Sequence, residues 1–219
     1  WNVLNTPLHI PLDQMKNWRT GQFTRNEVSY FRFYENPYFI IDTQREKYDY
    51  QEFSVLSNID YELTDWLSLS INSGFTGDTN NYKKEFGAFT YAFHLQHVYS
   101  EMDPYGAKTA DRITNCSRFN NDFLLKFNKA VNDDFNLNLT LGANTFLTTS
   151  KRIEVSGENL IIPDFYNVST RTGDLIGEEA SSNYRKQGLY ADFTLGFKDF
   201  LFLNVTARND WSSTLPKNN

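Results

Sequence analysis

The sequence predicts an all-β fold, namely a sector of an antiparallel transmembrane β-barrel with long extracellular loops. Three observations support this prediction. A pair of strand-like runs with apolar alternation occurs three times along the chain. Each pair is joined by a short polar turn, and successive pairs are linked by stretches of roughly forty to fifty residues. Short turns on one side and long loops on the other are typical of outer-membrane barrels.

Alternation in the three hairpins separates apolar from polar residues, because successive side chains of a strand point to opposite faces. Odd-numbered positions are apolar, apart from a break at Leu56 and Ser57. Even-numbered positions are rich in Asn, Ser, Gly and Asp, which are poor strand formers but suit a hydrated lumen. The residues predicted to face lipid are Leu67, Leu69, Ile71, Leu137, Leu139, Leu141, Leu201, Leu203 and Val205. The residues predicted to face the lumen are Asn72, Asn138, Thr140, Asn144, Asp192 and Asn204.

The length of the runs and the position of their aromatic residues agree with a membrane span. A run from Trp66 to Thr76 rises about 33 Å, which a barrel tilt reduces to about 25 Å, the height of the apolar band. Aromatic residues flank the short turns Thr64-Asp65, Asn132-Asp133-Asp134 and Lys198-Asp199, and others lie near the opposite strand ends. Two aromatic girdles are expected at the two membrane interfaces.

These patterns divide the chain into six predicted segments of one barrel domain. The segments are an extracellular loop and strand lead-in (1–47), hairpin 1 (48–77), an extracellular loop (78–119), hairpin 2 (120–147), an extracellular loop (148–186) and hairpin 3 (187–211).

Composition and charge exclude several other classes of protein and of site. The net charge is −6 and no Lys/Arg cluster forms a basic stripe, so we expect no nucleic-acid partner. The single cysteine, Cys116, excludes an internal disulfide and a Cys-based zinc site. No apolar run is long enough for a transmembrane helix, whereas barrel strands largely escape hydropathy analysis.

No motif in the chain predicts catalysis, a metal site or a cofactor. The nucleophile-elbow, His-Glu-x-x-His and phosphate-loop patterns are absent from the sequence, so we expect a protein that is not an enzyme. His94 and His97 are spaced by three in an extended run, which places them on opposite faces and disfavours joint metal binding.

The long loops are the candidate contact regions, because loops of this size are usually functional. Their aromatic rings could stack on a ligand or pack within the loop, and both readings stay open. The candidate contacts with substrate or with a lid protein are Tyr91, Phe93, Tyr99, Tyr105 and Tyr166.

Several stretches resemble a single family. They are Asn36-Pro37-Tyr38, residues 63–69, residues 160–167, residues 188–203 and, most specifically, residues 208–216. Together they are similar to the middle of the barrel of SusC/RagA-like TonB-dependent importers of Bacteroidetes outer membranes. Such barrels have about 22 strands. Six strands cannot close one, and open edges in lipid would stay unsatisfied, so we expect the chain to be part of a larger protein.

The resemblance implies a function and a set of partners. It implies a transporter in the outer membrane of a Gram-negative, Bacteroidetes-like bacterium that imports glycan fragments or oligopeptides. It also implies an N-terminal plug that contacts TonB, a SusD-like surface lipoprotein that acts as a lid, and contact of the wall with outer-membrane lipid. The residue patterns also allow an alternative, which is a soluble all-β carbohydrate-binding or adhesion module that contacts its ligand through the loop aromatics.

Overall fold

The structure is a computed structural model that describes residues 3–4, 11–21, 36–90, 105–198 and 200–215. Six strands form one sheet in which each strand is hydrogen-bonded to its neighbours in sequence. This order confirms the predicted all-β class and the count of six strands. The strands are β1 Arg45–Thr64, β2 Leu67–Phe86, β3 Lys108–Asn132, β4 Phe135–Glu158, β5 Ile176–Phe197 and β6 Leu201–Ser212.

The strands extend beyond the predicted hairpins. β2 runs to Phe86 and β4 runs to Glu158, whereas the predicted hairpins end at residues 77 and 147. Apolar alternation stops earlier than the strands because pairing depends on backbone hydrogen bonds, and polar cross-strand pairs can continue the ladder. The ion pair of Lys83 with Asp111, at 3.1 Å, is one such pair. The connections between hairpins are therefore residues 87–107 and 159–175, shorter than the predicted loops.

The remaining elements are short helices. A 3-10 helix covers Leu12–Asn17, helix α1 covers Pro37–Thr43, and a second 3-10 helix covers Val168–Thr170. The start of α1 follows from its sequence, since Pro37 suits the first helical position and the Asn36 side chain accepts a 2.9 Å hydrogen bond from the Tyr38 amide. None of the helices among the described residues is long and apolar enough to cross a membrane.

The chain divides into two units. One comprises residues 1–49, 80–113 and 152–179 and is named the loop unit; the other comprises residues 50–79, 114–151 and 180–219 and is named the turn unit, because it contains the three short turns. Strands β1 to β5 contribute residues to both units.

The loop unit has an aromatic core. Trp18, Phe39 and Phe89 are almost fully buried, and their rings meet edge to face, with centroids 5.2 Å apart for Trp18 and Phe39 and 5.1 Å apart for Phe39 and Phe89. The indole of Trp18 donates a 2.6 Å hydrogen bond to Asp42, so its only polar atom is satisfied. These contacts attach α1 and the first 3-10 helix to the strand ends and their connecting segments.

The turn unit lacks such a core among its described residues. Every buried large apolar side chain described for the chain belongs to the loop unit. The buried residues described for the turn unit are Ser70, Asn121, Gly142, Gly188 and Gly196. Its apolar side chains are instead left accessible on one face of a sheet, a pattern that marks an interaction surface when the exposed area is large.

The core of the loop unit yields a test on the full-length protein. Replacing Phe39 by Ala removes a buried ring. We expect it to lower the free energy required to open α1 by about 3–5 kcal/mol. Hydrogen exchange at the amides of Ile40 and Gln44, which close the helical bonds, reports that opening. Ile41→Ala is the matched control, because Ile41 lies on the same helix and is 65% exposed. Equal exchange rates in the two variants would contradict the assigned core.

Candidate functional site

The even-numbered face of the turn unit is a largely polar surface on which side chains are hydrogen-bonded to one another. Its hydrogen bonds join even-numbered residues of neighbouring strands, which therefore share one face. Asn204 is opposite Thr194 in the β5–β6 register and donates a 2.7 Å hydrogen bond to its hydroxyl. The other pairs on this face are Asn144 with Asp122 at 2.7 Å, Ser54 with Thr76 at 3.0 Å, and Ser70 with Asp60.

The side chains of Tyr190, Arg208 and Asp210 form a cluster on this face. The Arg208 guanidinium donates two 2.9 Å hydrogen bonds to the Asp210 carboxylate, and its centre lies 5.2 Å from the centroid of the Tyr190 ring. Bidentate pairing fixes both the position and the orientation of the guanidinium. Arg208 and Asp210 belong to the stretch whose resemblance to a family is most specific.

Two glycines make room for this cluster. A Cβ at Gly142 would overlap the ring of Tyr190, and a Cβ at Gly188 would come within 2.9 Å of the Arg208 guanidinium. No described glycine has a positive φ, so the requirement is for space and not for a left-handed backbone. The two glycines therefore leave the space that the Tyr190 ring and the Arg208 guanidinium occupy.

The residues predicted to line the lumen lie on this polar face by strand alternation. Asn144 and Asn204 are hydrogen-bonded as described, and Asp192 is opposite Thr206 in the ladder. Asn72 lines a crevice of about 330 Å³ with Asn58, Asn120 and Arg118, among others. Asn138 is exposed, and Thr140 is half-buried. Whether this face contacts a solute remains a prediction.

The odd-numbered face of the turn unit carries the apolar residues predicted to face lipid. In the β5–β6 ladder, apolar residues are directly opposite apolar residues, as with Leu195 and Leu203 and with Phe193 and Val205. Leu201, Leu203 and Val205 are more than half exposed. The face also contains a polar pair, in which the Ser73 hydroxyl donates to Asn121 at 2.5 Å, so that two polar groups satisfy each other within an apolar neighbourhood.

Aromatic rings pair up at the short turns. Trp66 stacks on Phe127 at 6.1 Å, and Phe197 packs on both Phe135 at 4.9 Å and Phe200 at 5.8 Å. Lysines accompany them, with Lys129 lying 5.4 Å from the Trp66 ring centroid and Lys198 lying 5.3 Å from that of Phe197. Rings with an apolar body and a wet edge, beside lysines, are the composition expected at a membrane interface.

Two of the predicted loop contacts are packed within the loop unit. Tyr105 pairs its backbone with Phe89 and packs its ring on Phe86 and Phe89 at 5.3 and 5.9 Å. Tyr166 is only 8% exposed, and burial, reinforced by the Asp164 carboxylate, raises the pKa of its phenol above the ordinary value. Contact of either ring with a ligand stays a prediction. Tyr91, Phe93, Tyr99, His94 and His97 lie outside the described residues.

The loop unit also contains a groove that the sequence patterns did not indicate. It has a volume of about 580 Å³ and combines aromatic side chains, two lysines and two glutamates. Two of its lining residues, Lys108 and Glu158, form an ion pair at 2.8 Å. Its main side chains are Lys84, Phe86, Tyr105, Lys108, Glu154 and Glu158. The strand ends that line the groove carry no apolar alternation, so the sequence pattern does not indicate it.

Within the described ranges, no group of three His, Cys, Asp or Glu residues is placed to hold a metal ion. The thiol of Cys116 is free and half-buried.

Comparison with solved structures identifies the architecture. A chain of the RagAB peptide transporter superposes with a TM-score of 0.73 over 89% of this chain, at 13% sequence identity. The fold is that of a sector of a RagA-like transporter barrel. Chains of the RagAB peptide importer in its 'closed-closed' and 'open-open' states give TM-scores of 0.72 and 0.71 over 85% of this chain, at 14% and 15% identity. This confirms the predicted barrel sector.

The matched region is only part of the RagAB chains. This chain spans about a fifth of their length, 21% in the first and 20% in the other two. No family model matches the chain, and no curated protein does. The six-stranded sheet therefore matches a piece of the RagAB chains, and among the described residues β1 and β6 are its two outer strands.

The Tyr190 cluster yields a test of the geometry. Gly142→Ala is expected to destabilise the full-length protein by about 1–3 kcal/mol, because the new methyl group overlaps the Tyr190 ring. Thermal unfolding in detergent micelles measures the change. Removing the ring in the double variant Gly142→Ala/Tyr190→Ala should restore most of the loss caused by the methyl group, measured against Tyr190→Ala alone.

The matched control for this cluster is Gly173→Ala, because nothing lies within 4 Å of a Cβ at that position. It should leave stability unchanged or raise it slightly. If Gly142→Ala lowers stability by the same amount in a Tyr190→Ala background, the cluster is not packed as described.

Proposed function

We propose that this chain is a wall segment of an outer-membrane transporter of the RagA/SusC kind, which takes up oligopeptides or glycan fragments. The single observation that supports this best is the match of its six-stranded sheet to the RagAB chains over most of its length. The RagAB structures are those of a peptide importer, which favours oligopeptides over glycans as the first solutes to test. A transporter wall requires no catalytic residues.

The two faces of the turn unit support a position in a membrane. The odd-numbered face is mostly apolar and accessible, whereas the even-numbered face is mostly polar and internally hydrogen-bonded, with Leu56 and Phe202 as exposed apolar exceptions. In a barrel the first would contact outer-membrane lipid and the second would line a hydrated lumen. A soluble carbohydrate-binding or adhesion module would instead bury its apolar face against a second layer.

The loop unit supplies the surfaces proposed for solute and partner. In the proposed barrel the short turns would lie on the periplasmic side, and the longer connections between the hairpins would lie outside the cell. The groove beside Phe86 and Tyr105 offers aromatic faces with charges of both signs, a combination that suits the backbone and termini of a peptide. A SusD-like lipoprotein would cover these outer surfaces, and TonB would act through a plug supplied elsewhere in the whole protein.

Uptake by cells tests the proposal directly. Cells that produce the full-length protein should accumulate a labelled oligopeptide, and deletion of its gene should abolish that uptake. Dissipating the proton gradient should also abolish it, because transport driven by TonB depends on that gradient. A protein that fractionates away from the outer membrane, or uptake unaffected by deletion, would contradict the proposal.

The assignment of the two faces has its own test in the full-length protein. Leu139→Arg places a charge on the proposed lipid face and should cost about 2–4 kcal/mol near the bilayer midplane. Asn138→Arg is the matched control, since it is adjacent in sequence and faces the proposed lumen. Unfolding from lipid bilayers measures both variants. Equal tolerance of arginine at the two positions would overturn the assignment.

A further inference from the structure

An apolar crevice lies on the odd-numbered face of the turn unit. It has a volume of about 310 Å³, and its five lining residues are all leucine or phenylalanine. They are Phe135, Leu195, Phe197, Leu201 and Leu203. The crevice differs from the polar crevice at Asn72 in that no polar side chain lines it.

The ladder explains how the crevice forms. Leu195 is opposite Leu203 and Phe197 is opposite Leu201, while the Phe135 ring packs against Phe197 at 4.9 Å. The aromatic rings form a wall at the turn end, and the leucines, with Leu201 at 59% and Leu203 at 56% exposure, form an open floor. A linear hydrocarbon chain could cover these leucines without a polar group having to be desolvated.

Opposite charges lie at the turn end of the crevice. The Lys198 ammonium is 5.3 Å from the Phe197 ring centroid and 3.7 Å from an Asp134 carboxylate oxygen. Both side chains are about half exposed, so each keeps access to a further partner. The Lys198 amide also donates a 2.8 Å hydrogen bond to the Asp134 carbonyl, which holds the two turns together.

The backbone conformation of Lys198 is a further feature of this turn. Its φ is 49°, in the left-handed region that glycine and asparagine adopt most readily. A lysine there carries backbone strain. Its placement brings an ammonium group over the aromatic wall of the crevice.

We propose that this crevice binds a phospholipid of the leaflet next to the short turns, with an acyl chain along the leucines and the phosphate on Lys198. Asp134 favours a headgroup that also carries an ammonium, because the pair then meets both charges of a zwitterionic lipid. This inference rests on the membrane position within the proposed function, since it requires the odd-numbered face to contact lipid, and it does not depend on which solute is transported.

Lipid retention by the purified full-length protein tests the site. Delipidated protein in detergent is titrated with phosphatidylethanolamine or with phosphatidylglycerol, and native mass spectrometry counts the bound lipids. Wild-type protein should bind one phosphatidylethanolamine in preference to phosphatidylglycerol, and Lys198→Gln should weaken that binding about tenfold. Lys198→Arg should restore it.

Two further variants separate the crevice from general charge effects. Leu203→Trp fills the crevice and should abolish the preferred lipid even with Lys198 present. Lys129→Gln is the matched control, because Lys129 also lies over an aromatic ring near a short turn but does not border the crevice. It should leave the count of bound lipid unchanged.

Several outcomes would overturn the inference. These are equal retention by wild type and Lys198→Gln, an equal loss in Lys129→Gln, no preference for the zwitterionic lipid, or cross-linking of position 203 to another protein segment. The failures of the two proposals are distinguishable, because retention is measured on purified protein and uptake on cells. If cells that produce the full-length protein take up no labelled oligopeptide, while the purified protein still binds the preferred lipid, the transporter proposal is contradicted and the lipid site is retained.

Discussion

Alternation of side chains across a hydrogen-bonded ladder is the constraint on which the turn unit depends. Its described residues include no buried apolar core, so its strands are held by backbone pairing and by contacts along each face. A one-residue slip of any strand would move its leucines to the polar side and its asparagines to the apolar side. The cross-strand bonds of Asn204 with Thr194 and of Asn144 with Asp122 favour the observed register from the polar side.

The loop unit is stabilised differently. Trp18, Phe39 and Phe89 form a conventional buried cluster, and ion pairs extend the ladder where leucines are absent. Glu85, which is 5% exposed, accepts a 2.7 Å hydrogen bond from the Lys47 ammonium and forms an ion pair with the Arg45 guanidinium at 3.1 Å. Burial of a carboxylate is tolerable when two cations meet it. The same strands therefore combine two kinds of stabilisation, one suited to lipid contact and one suited to water.

Where the sequence interpretation failed, the reason is physical. Apolar alternation ends near Phe75 and Leu147, and the predicted hairpins ended there too, but the ladder continues to Phe86 and Glu158. Ladder bonds involve the backbone, so they do not require apolar side chains, and a polar strand in water carries no strong pattern. The sequence pattern therefore does not indicate the groove of the loop unit.

The sequence by itself determined the class of fold, the three short turns and the division of residues between two faces, because each of these follows from local periodicity and turn chemistry. Only the tertiary structure decided which side chains meet. Gly142 and Tyr190 are distant in the chain, and their complementarity appears only once β4 and β5 pair. Likewise, the sequence leaves open whether the rings of Tyr105 and Tyr166 pack or stay accessible to a ligand. Contacts with residues far along the chain place both rings within the loop unit.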